Sequence, residues 1–306
     1  SASSRASFEV RLSANTTCPF AFAASSAPGT LNDNTPRLFH AEPHTLVFTP
    51  TSAAAGNSLG DFAASLRVYV MNNKLAAVAG PGGHDGKRDL GESLPAGGPI
   101  LERCQRLART LNCDLLLGGF HEAMPGDTER CYNTSVYLNS RGEITAMYRK
   151  IHLFDVSIVN GPQLMESKQT GPGDQAVCVE TPLGTLGLTI CYDVRFPALY
   201  QRLVEMGAMA LTVPSAFTAT TGAAHWHALL RARAIENQSY VIAPAQYGQH
   251  SANRASYGHS TIIDPWGEIL AELPDGDGYA IAEVDPERVA QIRQQVPSLA
   301  NQRPFT

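Results

Sequence analysis

The stretch Leu186-Gly-Leu-Thr-Ile-Cys-Tyr-Asp-Val-Arg-Phe-Pro197 decides how this sequence is interpreted. Its first half is an apolar run that predicts a buried strand, and a helix is predicted to follow from Pro197. A strand-to-helix turn of this type exposes a nucleophile and directs backbone N–H groups at a reacting carbonyl. Cys191 stands at that turn and is a candidate nucleophile. The alternative is a buried structural cysteine, which is what most free cysteines are.

Outside this stretch, predicted strands alternate with predicted helices, which indicates a mixed α/β protein. Helical spacing of apolar residues predicts helices over 100–111, 197–206 and 225–237. Strands are predicted over 44–50, 66–71, 114–120, 131–138, 144–148, 176–180, 186–191, 208–214, 240–245, 257–263, 268–273 and 280–284. No internal repeat or linker interrupts this order, so we expect one domain.

The composition disfavours several classes of function. A formal net charge of −5 over 306 residues gives no electrostatic footprint for nucleic acid or anionic membrane. No apolar run approaches the roughly 20 residues that a membrane span needs. We therefore expect neither nucleic acid nor membrane as a partner, and a cytoplasmic location. The Ser- and Ala-rich first thirty residues weakly resemble a mitochondrial transit peptide, with a frayed terminus as the alternative.

Cysteine usage favours reduced thiols, because six cysteines occur without any CxxC pair in a chain long enough to build a core without disulfides.

Two ordered boxes and several shorter motifs surround this nucleophile candidate. Cys191-Tyr-Asp-Val-Arg-Phe-Pro197 is preceded by Tyr148-Arg-Lys-Ile-His-Leu-Phe-Asp155, which places Lys150 41 residues before Cys191. The two boxes resemble the nucleophile and catalytic-lysine boxes of the nitrilase (carbon–nitrogen hydrolase) superfamily, with the interval of its Nit branch. Further matching motifs are Gly118-Gly-Phe-His-Glu122, Pro214-Ser-Ala-Phe217, His225-Trp226, Arg231-Ala-Arg-Ala-Ile-Glu236, Ala255-Ser-Tyr-Gly-His-Ser260 and Asp264-Pro-Trp-Gly267.

The resemblance implies a four-layer α-β-β-α sandwich that pairs into homo-oligomers. It implies a poorly defined segment at 1–44 and a carbon–nitrogen hydrolase domain at 45–306, atypical up to about residue 100. It also implies a hydrolase that acts on linear amides without a cofactor.

The resemblance also implies roles for five residues. The thiol of Cys191 would attack an amide carbonyl and form a thioester. Lys150 and the backbone N–H of Tyr192 would stabilise the oxyanion, and the charge of Lys150 would lower the pKa of the thiol. Glu166 matches the glutamate that holds the lysine in place. Arg195 would bind a substrate carboxylate with two hydrogen bonds.

Alternative interpretations exist for Arg195 and for two neighbouring histidines. Arg195 could instead form a structural salt bridge with Asp193. His225-Trp-His227 invites a metal interpretation, but the two-residue spacing and the lack of a third clustered ligand argue against a metal. The family more often has Glu at the position of His227.

The general base is the main departure from the family. Thr51 stands where the resemblance expects a glutamate after the first strand, and a hydroxyl cannot act as a base near neutral pH. Glu42 and Glu92 do not fit that position either. This departure leaves open a catalytically impaired protein that keeps the fold.

Within the superfamily, the motifs are most similar to enzymes that hydrolyse the amide of deaminated glutathione to 2-oxoglutarate and cysteinylglycine. The alternative is ω-amidase activity on 2-oxoglutaramate. Both imply a small-molecule amide with a 2-oxo-dicarboxylate end.

Overall fold

The computed structural model describes residues 44–50, 66–72, 91–157, 163–251, 254–273 and 278–304. Thr51, Glu42 and the predicted amino-terminal segment before residue 44 lie outside these residues. The helices are α1 (Pro99–Leu111), α2 (Pro197–Glu205), α3 (Ala219–Asn237) and α4 (Pro286–Gln295), with 3₁₀ turns at Glu166–Lys168 and Cys191–Arg195. None of the described helices is long and apolar enough to cross a membrane.

Two β-sheets form the centre of the fold. The strands are β1 (His44–Pro50), β2 (Leu66–Asn72), β3 (Asp114–Ala123), β4 (Cys131–Leu138), β5 (Ile144–Arg149), β6 (Asp155–Ser157), β7 (Gln163–Met165), β8 (Thr170–Gly171), β9 (Val177–Thr181), β10 (Gly184–Leu188), β11 (Ala210–Thr212), β12 (Tyr240–Ala243), β13 (Tyr247–Ser251), β14 (Arg254–Tyr257), β15 (Ser260–Ile263), β16 (Ile269–Leu273) and β17 (Gly278–Val284). A seven-stranded sheet has the order β17-β2-β1-β3-β4-β5, with β8 beside β4. A six-stranded sheet has the order β16-β15-β12-β11-β10-β9.

Alternating side chains give the seven-stranded sheet two buried faces. Leu115 and Leu117 of β3 pack with Leu101 of α1. The intervening Leu116 joins Tyr137 of β4 in the core that the two sheets share. This period of two is what a strand covered on both sides requires, and it places α1 on the outer face of the first sheet.

The second sheet is covered by α2 and α3. Leu203 of α2 and Trp226 of α3 belong to the same buried cluster as Leu188 of β10. A Cβ on Gly187 would lie 3.1 Å from the Cβ of Leu203, so a glycine at this position lets α2 approach the sheet closely. The order helix, sheet, sheet, helix confirms the four-layer sandwich.

Several element boundaries differ from the prediction. The strand predicted over 257–263 is divided, because Gly258 and His259 adopt left-handed backbone with φ of 77° and 58°. The ribbon of β13 and β14 precedes this break and was not predicted. α3 begins at Ala219 rather than at His225, because Ala-Thr-Thr-Gly-Ala-Ala has no apolar period that would indicate a helix.

Candidate active site

Cys191 begins the 3₁₀ turn that follows β10. Its φ of 51° lies in the left-handed region, which residues with a Cβ rarely adopt. Its N–H donates to the carbonyl of Pro214 at 2.9 Å, which ties the turn to the segment after β11. Such a backbone conformation costs about 1–3 kcal/mol and occurs preferentially at functional sites.

The buried carboxylate of Asp193 holds this turn in shape. It accepts the N–H of Ile190 at 2.9 Å, the hydroxyl of Tyr148 at 2.7 Å and the N–H of His152 at 3.1 Å. The ring Nδ1 of His152 lies 2.8 Å from the same carboxylate. Asp193 therefore anchors the nucleophile turn to the lysine box. The alternative salt bridge between Asp193 and Arg195 is wrong.

Lys150 and Glu166 form a buried ion pair. Lys150 follows β5 and is 2% exposed, and its Nζ donates to Oε2 of Glu166 at 2.5 Å. Glu166 also accepts the N–H of Phe154 at 2.7 Å and the side-chain amide of Asn133 at 3.3 Å. Asn133 was not predicted as a site residue, because it belongs to no recognisable motif and contacts Glu166 only in the folded chain.

Lys150 keeps its charge despite its burial. Burial alone lowers the pKa of a lysine. Here the negative charges of Glu166 and of the Cys191 thiolate, with the hydrogen bond to Glu166, outweigh burial and raise the pKa of Lys150. The three residues predicted to converge, Lys150, Glu166 and Cys191, therefore lie within electrostatic reach of one another.

The thiol of Cys191 has a raised pKa. Burial is the largest cause, and the charge of Glu166 acts in the same direction. The charge of Lys150 and hydrogen bonds from the Ala216 backbone and the Ser215 side chain lower it. Lys150 thus acts on the pKa of the thiol in the expected direction, but burial outweighs it. No carboxylate in the described part of the chain forms a hydrogen bond with this thiol.

Arg195 contacts aromatic rings and a histidine. Its guanidinium carbon is 5.9 Å from the ring centre of Tyr192 and 5.1 Å from that of Phe217, while its terminal nitrogens lie 3.4 Å and 3.3 Å from Nδ1 of His225. Among the residues described, no carboxylate lies within ion-pair distance of this cation. The guanidinium is therefore available to an anionic ligand.

Tyr192 directly follows Cys191 in the nucleophile turn. Its ring packs edge-on against Phe154 and Phe196, with centroids 4.9 Å and 5.3 Å away. Its backbone N–H is next to the thiol in the chain, and its use as an oxyanion donor stays a prediction.

A carbon-nitrogen hydrolase family model matches residues 64–294. This chain belongs to the carbon–nitrogen hydrolase family. It is 49% identical over 213 residues to a deaminated glutathione amidase of Dictyostelium discoideum, covering 69% of this chain and 73% of that protein. It is 47% identical over 224 residues to the Homo sapiens protein of the same name, covering 71% and 68%.

Solved structures of the family agree with the fold. The Caenorhabditis elegans NitFhit protein superposes with a TM-score of 0.64 at 45% identity, covering 67% of this chain and 50% of that one. Saccharomyces cerevisiae Nit3, a member of branch 10 of the nitrilase superfamily, superposes with a TM-score of 0.63 at 35% identity, covering 72% and 78%. The resemblance to the nitrilase superfamily and its Nit branch is confirmed. The prediction that the chain is a hydrolase acting on amides is confirmed as well.

Glu92 has a structural role at the start of α1. Its carboxylate accepts the N–H of Ile100 at 2.6 Å and of Leu101 at 3.0 Å. Unpaired N–H groups in the first turn of a helix need such an acceptor. Glu92 therefore caps α1, in agreement with the expectation that it does not replace the missing base.

The two histidines near the start of α3 separate in the fold. His225 faces Arg195, whereas His227 meets His259 and Glu272, whose ligand atoms all lie within 4.8 Å of one another. The sequence argument that no third ligand clusters with His227 is wrong, because both partners come from distant parts of the chain.

Proposed function

We propose that this carbon–nitrogen hydrolase cleaves the amide of deaminated glutathione, releasing 2-oxoglutarate and cysteinylglycine. The observation that carries the proposal is the buried Lys150–Glu166 ion pair beside a cysteine that begins a left-handed turn. The substrate is inferred from the two relatives that are named deaminated glutathione amidase.

In the proposed reaction, Sγ of Cys191 forms a bond to the amide carbon. The carbonyl oxygen becomes an oxyanion, which accepts hydrogen bonds from Nζ of Lys150 and the N–H of Tyr192. The C–N bond then breaks, and the amine takes up a proton and leaves as cysteinylglycine. Water cleaves the resulting thioester, yielding 2-oxoglutarate and the free thiol.

Glu166 is proposed as a positioning residue rather than as the base. Its carboxylate already accepts from Lys150, Phe154 and Asn133, and these bonds hold the lysine as a charged donor. Thr51 stands where the family resemblance expects the acceptor of the thiol proton, so we propose that this proton passes to solvent water. We therefore propose a slow amidase rather than an inactive protein.

Arg195 is proposed to bind the carboxylate at the 2-oxo end of the substrate. Its half-buried guanidinium is held by rings and by His225 instead of by an acid, so binding an anion breaks no existing ion pair. A guanidinium and a carboxylate can form two parallel hydrogen bonds.

The competing substrate, 2-oxoglutaramate, has the same 2-oxo-dicarboxylate end and therefore needs the same cation. The discriminating experiment is a comparison of kcat/KM for the two amides with one preparation of the chain. We expect deaminated glutathione to be preferred at least about tenfold, the effect of a 1.4 kcal/mol difference at the transition state. The reverse preference would make the chain an ω-amidase. Turnover of neither amide would make it the catalytically impaired alternative.

Assembly and location are proposed on separate grounds. Ile235 of α3 is 49% exposed beside the turn that carries Trp266, which is 55% exposed. An exposed apolar patch of this kind indicates a protein–protein contact, and we propose a homo-oligomer. Light scattering after size exclusion would test this, with Trp266→Glu expected to lower the mass.

Location in the cytoplasm, or in mitochondria through the amino-terminal segment, is tested by imaging the tagged chain.

A further inference from the structure

A second group of ionisable side chains meets at the edge of the six-stranded sheet. Nε2 of His227 lies 3.1 Å from Oε1 of Glu272, and Nδ1 of His259 lies 2.6 Å from the same oxygen. No hydrogen bond or ion pair in the described ranges joins these residues to Cys191 or Lys150. The group is therefore independent of the proposed thiol chemistry.

Three separate elements bring the group together. His227 is on α3, His259 directly precedes β15, and Glu272 is on β16 in register with Thr261 of β15. Residues 45 positions apart, His227 and Glu272, thus become neighbours only in the folded chain.

His259 is held in place by contacts of its backbone and its ring. The carbonyl of His259 accepts from Nε1 of Trp226 at 2.9 Å and from the hydroxyl of Thr261 at 2.7 Å. Its ring stacks on Tyr257, with centroids 4.2 Å apart and 23° between the planes. Tyr257 in turn packs against Gly222 of α3, where no Cβ could fit. A ligand fixed in this way loses little conformational entropy when it binds an ion.

The chemistry of the group suits a transition-metal ion. Glu272 offers a carboxylate oxygen within 3.1 Å of one imidazole nitrogen and 2.6 Å of another. Imidazole nitrogens favour zinc, copper and nickel over magnesium and calcium, which prefer oxygen ligands. Two histidines and one glutamate, with water as the fourth ligand, form a known type of tetrahedral zinc site.

We propose that His227, His259 and Glu272 bind one divalent transition-metal ion of the zinc class, with water completing the coordination. Metal–ligand bonds of about 2.0–2.2 Å separate the ligand atoms of a tetrahedron by about 3.4 Å. The present separations bracket that value, from 2.6 Å to at most 4.8 Å. The three side chains are between 23% and 31% exposed, so small side-chain rotations can open the group and water can reach it.

A bound ion would connect α3 to the edge strand β16. Any ligand that binds only the folded state stabilises that state. We expect the melting temperature of the chain to rise by about 4 °C when zinc exceeds its dissociation constant a hundredfold.

Calorimetric titration of the metal-stripped chain with zinc chloride tests the proposal. One equivalent should bind to the parent, and Glu272→Gln or His227→Gln should weaken binding a hundredfold or more, since even changes behind the ligands cost about ten- to a hundredfold. His225→Gln is the matched control, because it removes an exposed histidine two positions away on the same helix and should leave zinc affinity unchanged.

Cobalt substitution separates this group from the thiols. Co²⁺ bound by histidine and glutamate should show visible d–d bands of a four- or five-coordinate ion without a sulfur charge-transfer band. This measurement uses the parent chain and stands even if a variant folds poorly. Absence of a bound equivalent, a sulfur band, or unchanged affinity in both Glu272→Gln and His227→Gln would overturn the proposal.

Discussion

Nζ of Lys150 lies 2.5 Å from Oε2 of Glu166 in a part of the protein where the lysine is 2% exposed. A buried cation of this kind is tolerated only with an anionic partner. The pair lies within electrostatic reach of Cys191, whose thiolate form also raises the pKa of the lysine. Variants of this pair should therefore distinguish its contribution to the free energy of unfolding from its contribution to the amidase activity.

The first prediction concerns Glu166→Gln. The substitution leaves a buried charge without its partner, which costs about 3–5 kcal/mol of unfolding free energy. The double variant Lys150→Met, Glu166→Gln should recover most of this stability but no activity, because the oxyanion donor is lost. Urea unfolding and amidase assays measure both effects. Glu143→Gln, which removes an exposed ion pair with Arg141, is the control and should leave both unchanged. A stable, fully active Glu166→Gln would contradict the proposed role.

The second prediction concerns Arg195→Lys. Lysine keeps the charge but cannot form two parallel bonds with a carboxylate. We expect KM for deaminated glutathione to rise about tenfold or more, the loss of one charged hydrogen bond, with an unchanged melting temperature. Arg202→Lys, in an exposed pair with Glu205 on α2, is the matched control. Lowered stability with unchanged kinetics would instead make Arg195 a structural residue.

The third prediction concerns the reactivity of the thiols. Alkylation proceeds through the thiolate, and the pKa of Cys191 is raised, so its labelling rate should increase about tenfold per pH unit from pH 6 to 8. Cys191 should still react first, because the charge of Lys150 and hydrogen bonds from Ala216 and Ser215 favour its thiolate, whereas burial raises the pKa of Cys113 to about 12 and that of Cys178 to about 11. Peptide mass spectrometry after limiting iodoacetamide measures this order. A plateau below pH 7, or earlier labelling of Cys113, would disagree with it.

The fourth prediction concerns the missing base. A general base contributes about 10²–10⁴-fold to a rate, and Thr51 occupies the sequence position where the family has a glutamate. Thr51→Glu should therefore raise kcat about a hundredfold and flatten its increase with pH. Thr51→Gln, which adds the same bulk without a carboxylate, is the control. If the parent is already fast, another carboxylate supplies the base.

Motif spacing predicted much of the site, because Cys191, Lys150 and Glu166 each lie in a short segment with its own pattern. The supporting contacts could not be predicted in this way. Asp193 meets Tyr148 45 residues away, and Asn133 reaches Glu166 only through the arrangement of β4. Hydrophobic periods predicted the individual elements and the mixed α/β class, whereas the four-layer arrangement was predicted from the family resemblance. The break at Gly258 and His259 was missed because left-handed backbone leaves no hydrophobic signature.

The most direct test of the central claim is to detect the acyl-enzyme on Cys191. The chain would be mixed with deaminated glutathione, quenched, digested and analysed by mass spectrometry, while released cysteinylglycine is quantified. We expect a 2-oxoglutaryl thioester on the peptide that contains Cys191, formed in step with cysteinylglycine, and neither adduct nor product with Cys191→Ala. Cysteinylglycine released without an adduct and at the same rate by Cys191→Ala would contradict it.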